Sequence, residues 1–403
     1  MAISSLFRYS LLIMALVDVL ALGVNSCASP EESVSGKTTN TSDNKTVVNR
    51  LITPKVIVSG LNHPWGMAFI DEKTILITER NGSVQLYNGE QLQPISIQLD
   101  IKATGQGGLL DIKLSPNYSQ DGYILMTYSK LINASLSTTA LIRFKLDGQT
   151  ATSKEELFEA TPYLTKPYHY GSRIAFDQSG YMYITLGDRY NYTTASAIDD
   201  PTQADAQRLN SYWGKVLKLN LDGSVPSNNP YAQQSEALSE IYSYGHRNPQ
   251  GIAYDVLKEQ LYIVDHGPQG GDEINKILSG KNYGWPVITY GIDYNNASVG
   301  IGAVKSGMEQ PLHYWDPSIA PSSLLIYHGT IYPEWKGDWF VTALKDKTLY
   351  RISWDGKNIG SINRMYEGDY GRLRNISLSP EGYLYLLVDD EKGSLIKLDT
   401  NSI

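Results

Sequence analysis

Of the six histidines in this 403-residue chain, three stand in turns crowded with glycine and charge. His169 lies in Pro167-Tyr168-His169-Tyr170-Gly171-Ser172-Arg173. Its imidazole is the side chain best matched to taking a proton near neutral pH. Asp188, in Leu186-Gly187-Asp188-Arg189, can hold His169 in one tautomer, as an orienting carboxylate does in acid–base pairs. Arg247 and Asn248, in Tyr244-Gly245-His246-Arg247-Asn248-Pro249-Gln250-Gly251, offer fixed donors for carbonyl or carboxylate oxygens. The same run also reads as a plain turn held by Asn-Pro and glycine. The stretch Asp265-His266-Gly267-Pro268-Gln269-Gly270-Gly271-Asp272-Glu273-Ile274-Asn275 sets glycines and a proline beside carboxylates, so main-chain carbonyls can turn inward. Oxygen-only ligation of that kind suits calcium, although the stretch does not match an EF-hand loop. Gly105-Gln106-Gly107-Gly108, Lys345, Arg372 and Arg374 are far apart in sequence. Brought together, they would form a receptor for a small polyanion.

These residues need a frame, and the sequence repeats one. A short apolar strand, a turn with Asp, Gly or Pro, and a Tyr- or Ile-rich strand recur along the chain. The copies are Gly66–Asp71 with Ile75–Arg80, Leu110–Pro116 with Tyr123–Tyr128, Arg173–Asp177 with Tyr181–Asp188, and Gly251–Asp255 with Leu261–Asp265. Two more are Gly329–Pro333 with Trp339–Ala343 and Arg374–Pro380 with Tyr383–Asp389. Third strands follow several of them, as in Ser83–Tyr87 and Leu349–Ser353. Six such phrases with little helical periodicity between them predict an all-β, six-bladed β-propeller, with a pair of β-sandwiches as the alternative. Lys55–Ser59 is expected to complete the sheet of the last repeat and hide its edge. The loops of a propeller converge on one axial face, so residues distant in sequence can line one pocket.

Composition agrees with β structure and narrows the partners. Tyrosine outnumbers phenylalanine 29 to 6, and its apolar body with a polar tip suits half-buried strands and polar pockets. The formal charge is −8 with no Lys/Arg run, which argues against nucleic acid or an anionic membrane surface as the main partner. Cys27 is the single cysteine, so neither an intrachain disulfide nor a Cys-rich zinc site is possible. It follows an apolar run from Leu11 to Val24 that is short for a bilayer span and right for a signal peptide. Residues 1–26 are therefore expected to be a lipoprotein-like signal, with Cys27 lipidated and residues 28–50 a flexible tether to a domain at 51–403. The mature protein would then be exported to the cell surface or periplasm, touching a membrane only through its lipid. A plain secretory signal or an uncleaved anchor is the alternative. The Asn-x-Ser/Thr triplets, such as those at Asn81 and Asn117, are compatible with glycosylation.

Together, the His169 and Asp188 segments, Trp213-Gly214-Lys215-Val216, Gly245–Gly251, His266-Gly267-Pro268, Asp272–Asn275 and Asn282-Tyr283-Gly284-Trp285-Pro286 resemble one family over about residues 51–399. It is that of the soluble aldose sugar dehydrogenases that use pyrroloquinoline quinone (PQQ), relatives of soluble quinoprotein glucose dehydrogenase. The resemblance implies oxidation of an aldose at its anomeric carbon to a lactone, with electrons passed to an external acceptor. His169 would be the base, Asp188 its orienting partner, and Arg247 the stabiliser of charge at the quinone carbonyl. Gln106, Asn248, Tyr294, Lys345, Arg372 and Arg374 would hold the cofactor. The carbonyls of Gly267 and Pro268 would ligate a calcium ion, and Glu273 and Tyr283 match a second, structural calcium. Tyr168 and His266 stand where glucose-specific members carry aspartate and glutamine, which implies the broad-specificity branch. A calcium-dependent propeller lactonase or esterase, or a non-catalytic surface propeller that binds sugar or protein, stays open beside this reading.

Overall fold

A computed structural model describes residues 51–193 and 199–401, so the signal segment, Cys27 and the tether lie outside the described residues. Five of the six copies of the repeated phrase build the inner half of a four-stranded antiparallel sheet, and there are six such sheets among the described residues. Blade 1 comprises Pro64–Phe69, Ile75–Glu79, Val84–Tyr87 and Leu92–Ile95. Blade 2 comprises Leu109–Leu114, Ile124–Leu131, Ser137–Asp147 and Thr150–Glu159. Blade 3 is Ile174–Phe176, Met182–Leu186, Lys215–Leu219 and Ile241–Tyr244, and blade 4 is Pro249–Asp255, Gln260–Asp265, Asp272–Ile277 and His313–Trp315. Blade 5 is Pro321–Ile326, Trp339–Ala343, Leu349–Trp354 and Ile359–Met365. Blade 6 takes Leu373–Leu378, Leu384–Val388 and Gly393–Asn401 from the end of the chain and Leu51–Leu61 from its beginning. That last pairing is antiparallel, with Lys55 opposite Lys397, and it closes the ring as the sequence predicts.

The burial pattern follows from stacking blades around an axis. Every residue of the second strands Ile75–Glu79, Met182–Leu186, Trp339–Ala343 and Leu384–Val388 is buried, because a neighbouring blade covers each face. Outermost strands such as Ile359–Met365 have no such cover, and no residue of that strand is buried. The threonine that recurs in the second strands has a job of its own. Thr78 Oγ1 donates to the Leu110 carbonyl (2.5 Å), Thr127 Oγ1 to Ser172 (2.7 Å) and Thr185 Oγ1 to Pro249 (2.9 Å), each time in or at the innermost strand of the next blade. A repeated hydroxyl thus rivets blade to blade where an unpaired inner carbonyl would be costly.

One phrase is placed differently from the sequence expectation. Gly329–Pro333 is not a strand but the approach to a short 3₁₀ turn, Pro333–Trp335, and the inner strand of blade 5 is Pro321–Ile326. Pro333, with glycines at 329 and 337 on either side of it, favours the turn. The Pro-Ser-Ser-Leu-Leu-Ile strand escapes notice because it lacks the Asp/Gly punctuation of the other copies. At the axis, Arg173 joins the inner strands. Its guanidinium donates to Asp111 Oδ1 (3.2 Å) and to the carbonyls of Gln250 (2.7 Å), Ser322 (2.7 Å) and Arg374 (3.0 Å), and lies 3.9 Å from the Trp65 ring centroid. With its own blade, that one side chain touches all six.

Candidate functional site

The inner strands begin at one end of the axis and finish at the other, and a cavity lies at each end. The larger, about 380 Å³, is lined by later inner-strand residues such as Met67, Lys113, Ile252 and Ile376. Its only buried charges, Asp111 and Arg173, neutralise one another. The smaller, about 230 Å³, gathers residues from all six blades: Trp65 and Arg80, Gln106, Tyr170, Asn248 with Gln250 and His266, Leu344, and Arg372 with Arg374. The chemistry predicted from the sequence converges on this second end.

His169 sits at the edge of that pocket. Its main-chain N–H donates to Gln106 Oε1 (2.8 Å), and Gln106 and Tyr170 both line the pocket. The backbone around it is strained: His169, Ser172, Arg189 and Tyr190 all have positive φ (51°, 81°, 55° and 59°). Left-handed non-glycine residues cost about 1–2 kcal/mol each, and such strain gathers at functional sites. Gly187 makes the close approach possible, since a Cβ there would lie 2.2 Å from the His169 carbonyl oxygen. The turn brings Asp188 Oδ1 within 2.7 Å of His169 Nδ1, while Trp285 Nε1 donates to Asp188 Oδ2 (2.7 Å).

Both groups of this pair are almost completely buried. Desolvation, reinforced by Arg247, pulls His169 below the ordinary histidine range despite the opposing pull of Asp188. Burial alone would raise the Asp188 carboxyl, but His169, Arg247 and the Trp285 hydrogen bond outweigh it and hold it below the usual carboxylate range. An ionised carboxylate only accepts, so Nδ1 carries the proton and Nε2 presents its lone pair. Nε2 has no hydrogen-bond partner among the described residues, and the imidazole is set as a proton acceptor.

The Gly245–Gly251 turn, between blades 3 and 4, supplies the positive charge next to it. Asp265 pins this turn, its carboxylate accepting from the main-chain N–H of Arg247 (3.1 Å) and of Asn248 (2.6 Å). Arg247 Nη1 then donates to the carbonyls of Gly267 (2.8 Å) and His266 (3.2 Å), and Nη2 approaches the Tyr294 hydroxyl at 3.5 Å. Asn248 Oδ1 accepts from Gly171 N–H (3.2 Å), tying this turn to the His169 segment. Burial pushes His266 down to about 3, so it stays neutral and its Nε2 donates to the Pro321 carbonyl (2.6 Å). His246 is structural, stacked on Tyr283 with ring centroids 4.7 Å apart.

The predicted cation ligands are gathered but not assembled into a cage. Gly267, Glu273 and Tyr283 all line a small cavity of about 10 Å³. The Gly267 carbonyl faces Arg247, and the Tyr283 hydroxyl is spent on the Lys276 carbonyl (2.5 Å) and Leu278 N–H (2.9 Å). Desolvation, with Asp265 and Asp272 nearby, pushes Glu273 up to about 8. No group of three or more His, Cys, Asp or Glu side chains converges on one point among the described residues. The residues at Glu273 and Tyr283 do not by themselves fit a second calcium. At Gly267 and Pro268 the protein offers two main-chain carbonyls, short of the six to eight oxygens calcium takes.

The opposite wall is cationic. Arg374 donates to Gln250 Oε1 (2.9 Å) and Asp389 Oδ2 (3.2 Å), and Arg372 reaches the same carboxylate at 3.4 Å. Burial would raise the Asp389 carboxyl, but Arg374, a hydrogen bond from His63 and the charges of Arg80 and Arg372 hold it far below the usual range. One carboxylate thus serves a wall of three arginines. The buried Nε atoms of Arg80 and Arg374, both lining this pocket, have no hydrogen-bond partner among the described residues. Such orphaned donors around a 230 Å³ pocket fit a polyanionic ligand of small-molecule size. Tyr294 lines the pocket and is 57% exposed, whereas Lys345 is an exposed residue next to Leu344 of the wall.

Sequence reasoning did not single out Arg80, Gln250, Trp65 or Asp389 as parts of the site. A signal was present for several of them. Arg80, Asp188, His266, Leu344 and Asp389 each directly follow, or stand two past, the second strand of their blade. Aligning the repeats on that strand end would have picked out Arg80 and Asp389 beside Asp188.

Comparison with known proteins gives a concordant picture. Residues 61–397 match the family model described as glucose/sorbosone dehydrogenase. The chain is 36% identical over 354 residues to the aldose sugar dehydrogenase YliI of Escherichia coli, covering 86% of this chain and 92% of that protein. The apo crystal structure of the soluble aldose sugar dehydrogenase from Escherichia coli superposes with a TM-score of 0.81 at 35% identity, covering 87% of this chain and all of the other. The PQQ-bound aldose sugar dehydrogenase from Streptomyces coelicolor gives a TM-score of 0.68 at 25% identity, covering 87% of this chain and 99% of that one.

Proposed function

The chain belongs to the glucose/sorbosone dehydrogenase family of sugar oxidoreductases, and from that premise we propose that it oxidises aldoses at the anomeric carbon to lactones with PQQ and calcium. The observation that carries this reading is the meeting of a neutral, carboxylate-oriented imidazole and an arginine-rich wall at one pocket. When bound, the quinone would accept the hydride that leaves the anomeric carbon. His169 Nε2 takes the proton of the anomeric hydroxyl, and Asp188 steadies the ring as it gains charge. Arg247, fixed on the Gly267 carbonyl, supplies positive charge in a dry setting where it needs no reorganisation. Arg80, Arg372 and Arg374, with Gln106, Asn248, Tyr294 and Lys345, would receive the cofactor's carboxylates. Gly267 and Pro268 are the residues that would hold the calcium ion, and the cofactor's own oxygens would have to help complete its shell.

The same proposal covers the setting. An exported protein, lipidated at Cys27, would hand electrons to an external acceptor at the cell surface or in the periplasm. The decisive experiment adds PQQ and calcium to purified apoprotein and follows dye reduction with several aldoses. Reduction by the wild type that is lost in His169→Ala is the expected result. No reduction by the wild type, or unchanged reduction by the variant, would overturn the mechanism. A calcium-dependent lactonase would instead hydrolyse its substrate without PQQ. A mature mass unchanged by Cys27→Ser would remove the lipid anchor.

A further inference from the structure

Arg189 is a buried charge that the chemistry above leaves unused. It follows Asp188 directly and is fully buried, yet among the described residues it forms no ion pair. Its guanidinium is met by dipoles and rings. Nε donates to the Tyr168 carbonyl (3.0 Å), Nη2 to the Lys166 carbonyl (2.5 Å) and Ser137 Oγ (3.0 Å), and Nη1 to the Ser137 carbonyl (3.2 Å). Its Cζ lies 4.0 Å from the Tyr170 ring centroid and 5.1 Å from that of Trp213. Tyr170 is itself anchored, hydroxyl to hydroxyl, on Ser137 (2.9 Å). Burial lowers Arg189 only to about 10, so it stays charged at neutral pH.

Every one of these contacts lies on the segment Lys166–Tyr170, which carries His169, or on blade 2 and Trp213 behind it. Asp188 and Arg189 occupy one left-handed turn, with Tyr190 N–H closing on Asp188 Oδ1 (2.7 Å). Consecutive residues therefore take hold of His169 twice, Asp188 by the ring and Arg189 by the backbone just before it. We propose that Arg189 is a positioning residue for the proton acceptor: its forked guanidinium fixes the strap on which His169 and the exposed Tyr168 are carried. This rests on the reading of His169 as the base. A lysine would keep the charge but not the fork that spans Lys166, Tyr168 and Ser137 at once.

The test compares Arg189→Met and Arg189→Lys with the wild type, counting active sites by PQQ titration of the apoprotein. Per binding site, kcat of Arg189→Met is expected to fall about 10- to 100-fold, as for a misplaced reacting group. KM for the aldose and the affinity for PQQ should stay within about threefold, and Arg189→Lys should recover part of the loss. Loosening the strap also lets water reach His169, so the acid limb of kcat/KM moves to higher pH. Asp188, Arg247, Asp265 and His266, together with Tyr190, whose ring packs edge-on against His169 at 5.2 Å, are the charged and titratable groups around His169 and are unchanged in the variant. The same upward move should appear in the imidazole titration of His169 in the apoprotein, read by nitrogen NMR and assigned with His169→Gln. Wild-type kcat per site, or fewer active sites with the acid limb and the NMR titration unmoved, would overturn the proposal. If the wild type neither binds PQQ nor reduces dye, the proposed function fails, while the NMR comparison still judges Arg189.

Discussion

Of the four histidine–carboxylate pairs among the described residues, His169 with Asp188 and His63 with Asp389 do different work. His169 and Asp188 are 2.7 Å apart with side chains 6% and 2% exposed; His63 and Asp389 are 2.8 Å apart with His63 31% exposed. In the first pair the carboxylate receives the imidazole, an indole N–H and one main-chain N–H, and no arginine binds it directly. In the second it also receives Arg372 and Arg374, so its charge is committed to the cationic wall. The same two residue types make a proton acceptor where water is excluded and nearby charge is balanced. They make a brace for arginines where the histidine is open to solvent.

The largest expected effect comes from breaking the first pair. His169→Ala should lower kcat by about 10²- to 10⁴-fold, the usual worth of a positioned base. PQQ binding to the apoprotein, measured by calorimetry, should change little. Next, Arg374→Ala should weaken PQQ binding by about 100-fold, since a buried charge contact to a ligand is worth several kcal/mol. Turnover at saturating cofactor should be largely kept, a split that separates the wall from the base.

The pH dependence of stability sharpens the contrast further. His169, His246 and His266 all titrate below their ordinary value of 6.5 because burial disfavours their charged form. Below that pH the unfolded chain binds more protons than the folded one. Their contribution is therefore complete above pH 6.5 and is lost as pH falls through the folded values. Glu273, raised to about 8, works in the opposite sense between pH 8 and 4.5. Calorimetric Tm should drop on acidification below pH 6.5, and the drop should be shallower in His266→Gln. The smallest effects belong to the frame and the brace. Thr127→Val should cost about 2 kcal/mol in denaturant unfolding, because it removes two buried hydrogen bonds, one to the Ser172 carbonyl and one from the Asp111 N–H. His63→Gln should change both kcat and PQQ affinity by less than about threefold, because Asp389 keeps its arginines.

Much of the frame was legible because a propeller repeats itself. Buried second strands write continuous apolar phrases, and the recurring Thr78, Thr127 and Thr185 mark the same blade contact each time. Blade 5 was misread where Pro321–Ile326 lacks the turn residues of its siblings. Arg80 and Asp389 were missed because each looks like an ordinary charge at a strand end.

The residue types set the chemistry on offer: an imidazole, a carboxylate near it in sequence, arginines in an acidic chain, and glycines where backbones must touch. Those were fixed by covalent sequence alone, as were the six-fold phrase and the strand that closes the ring. Which histidine is dry, which carboxylate is shared and which arginine is left with an empty Nε were decided only when the blades packed. Burial and charge balance are sums over neighbours that lie up to 326 positions apart, as His63 and Asp389 do, and no local pattern carries that sum.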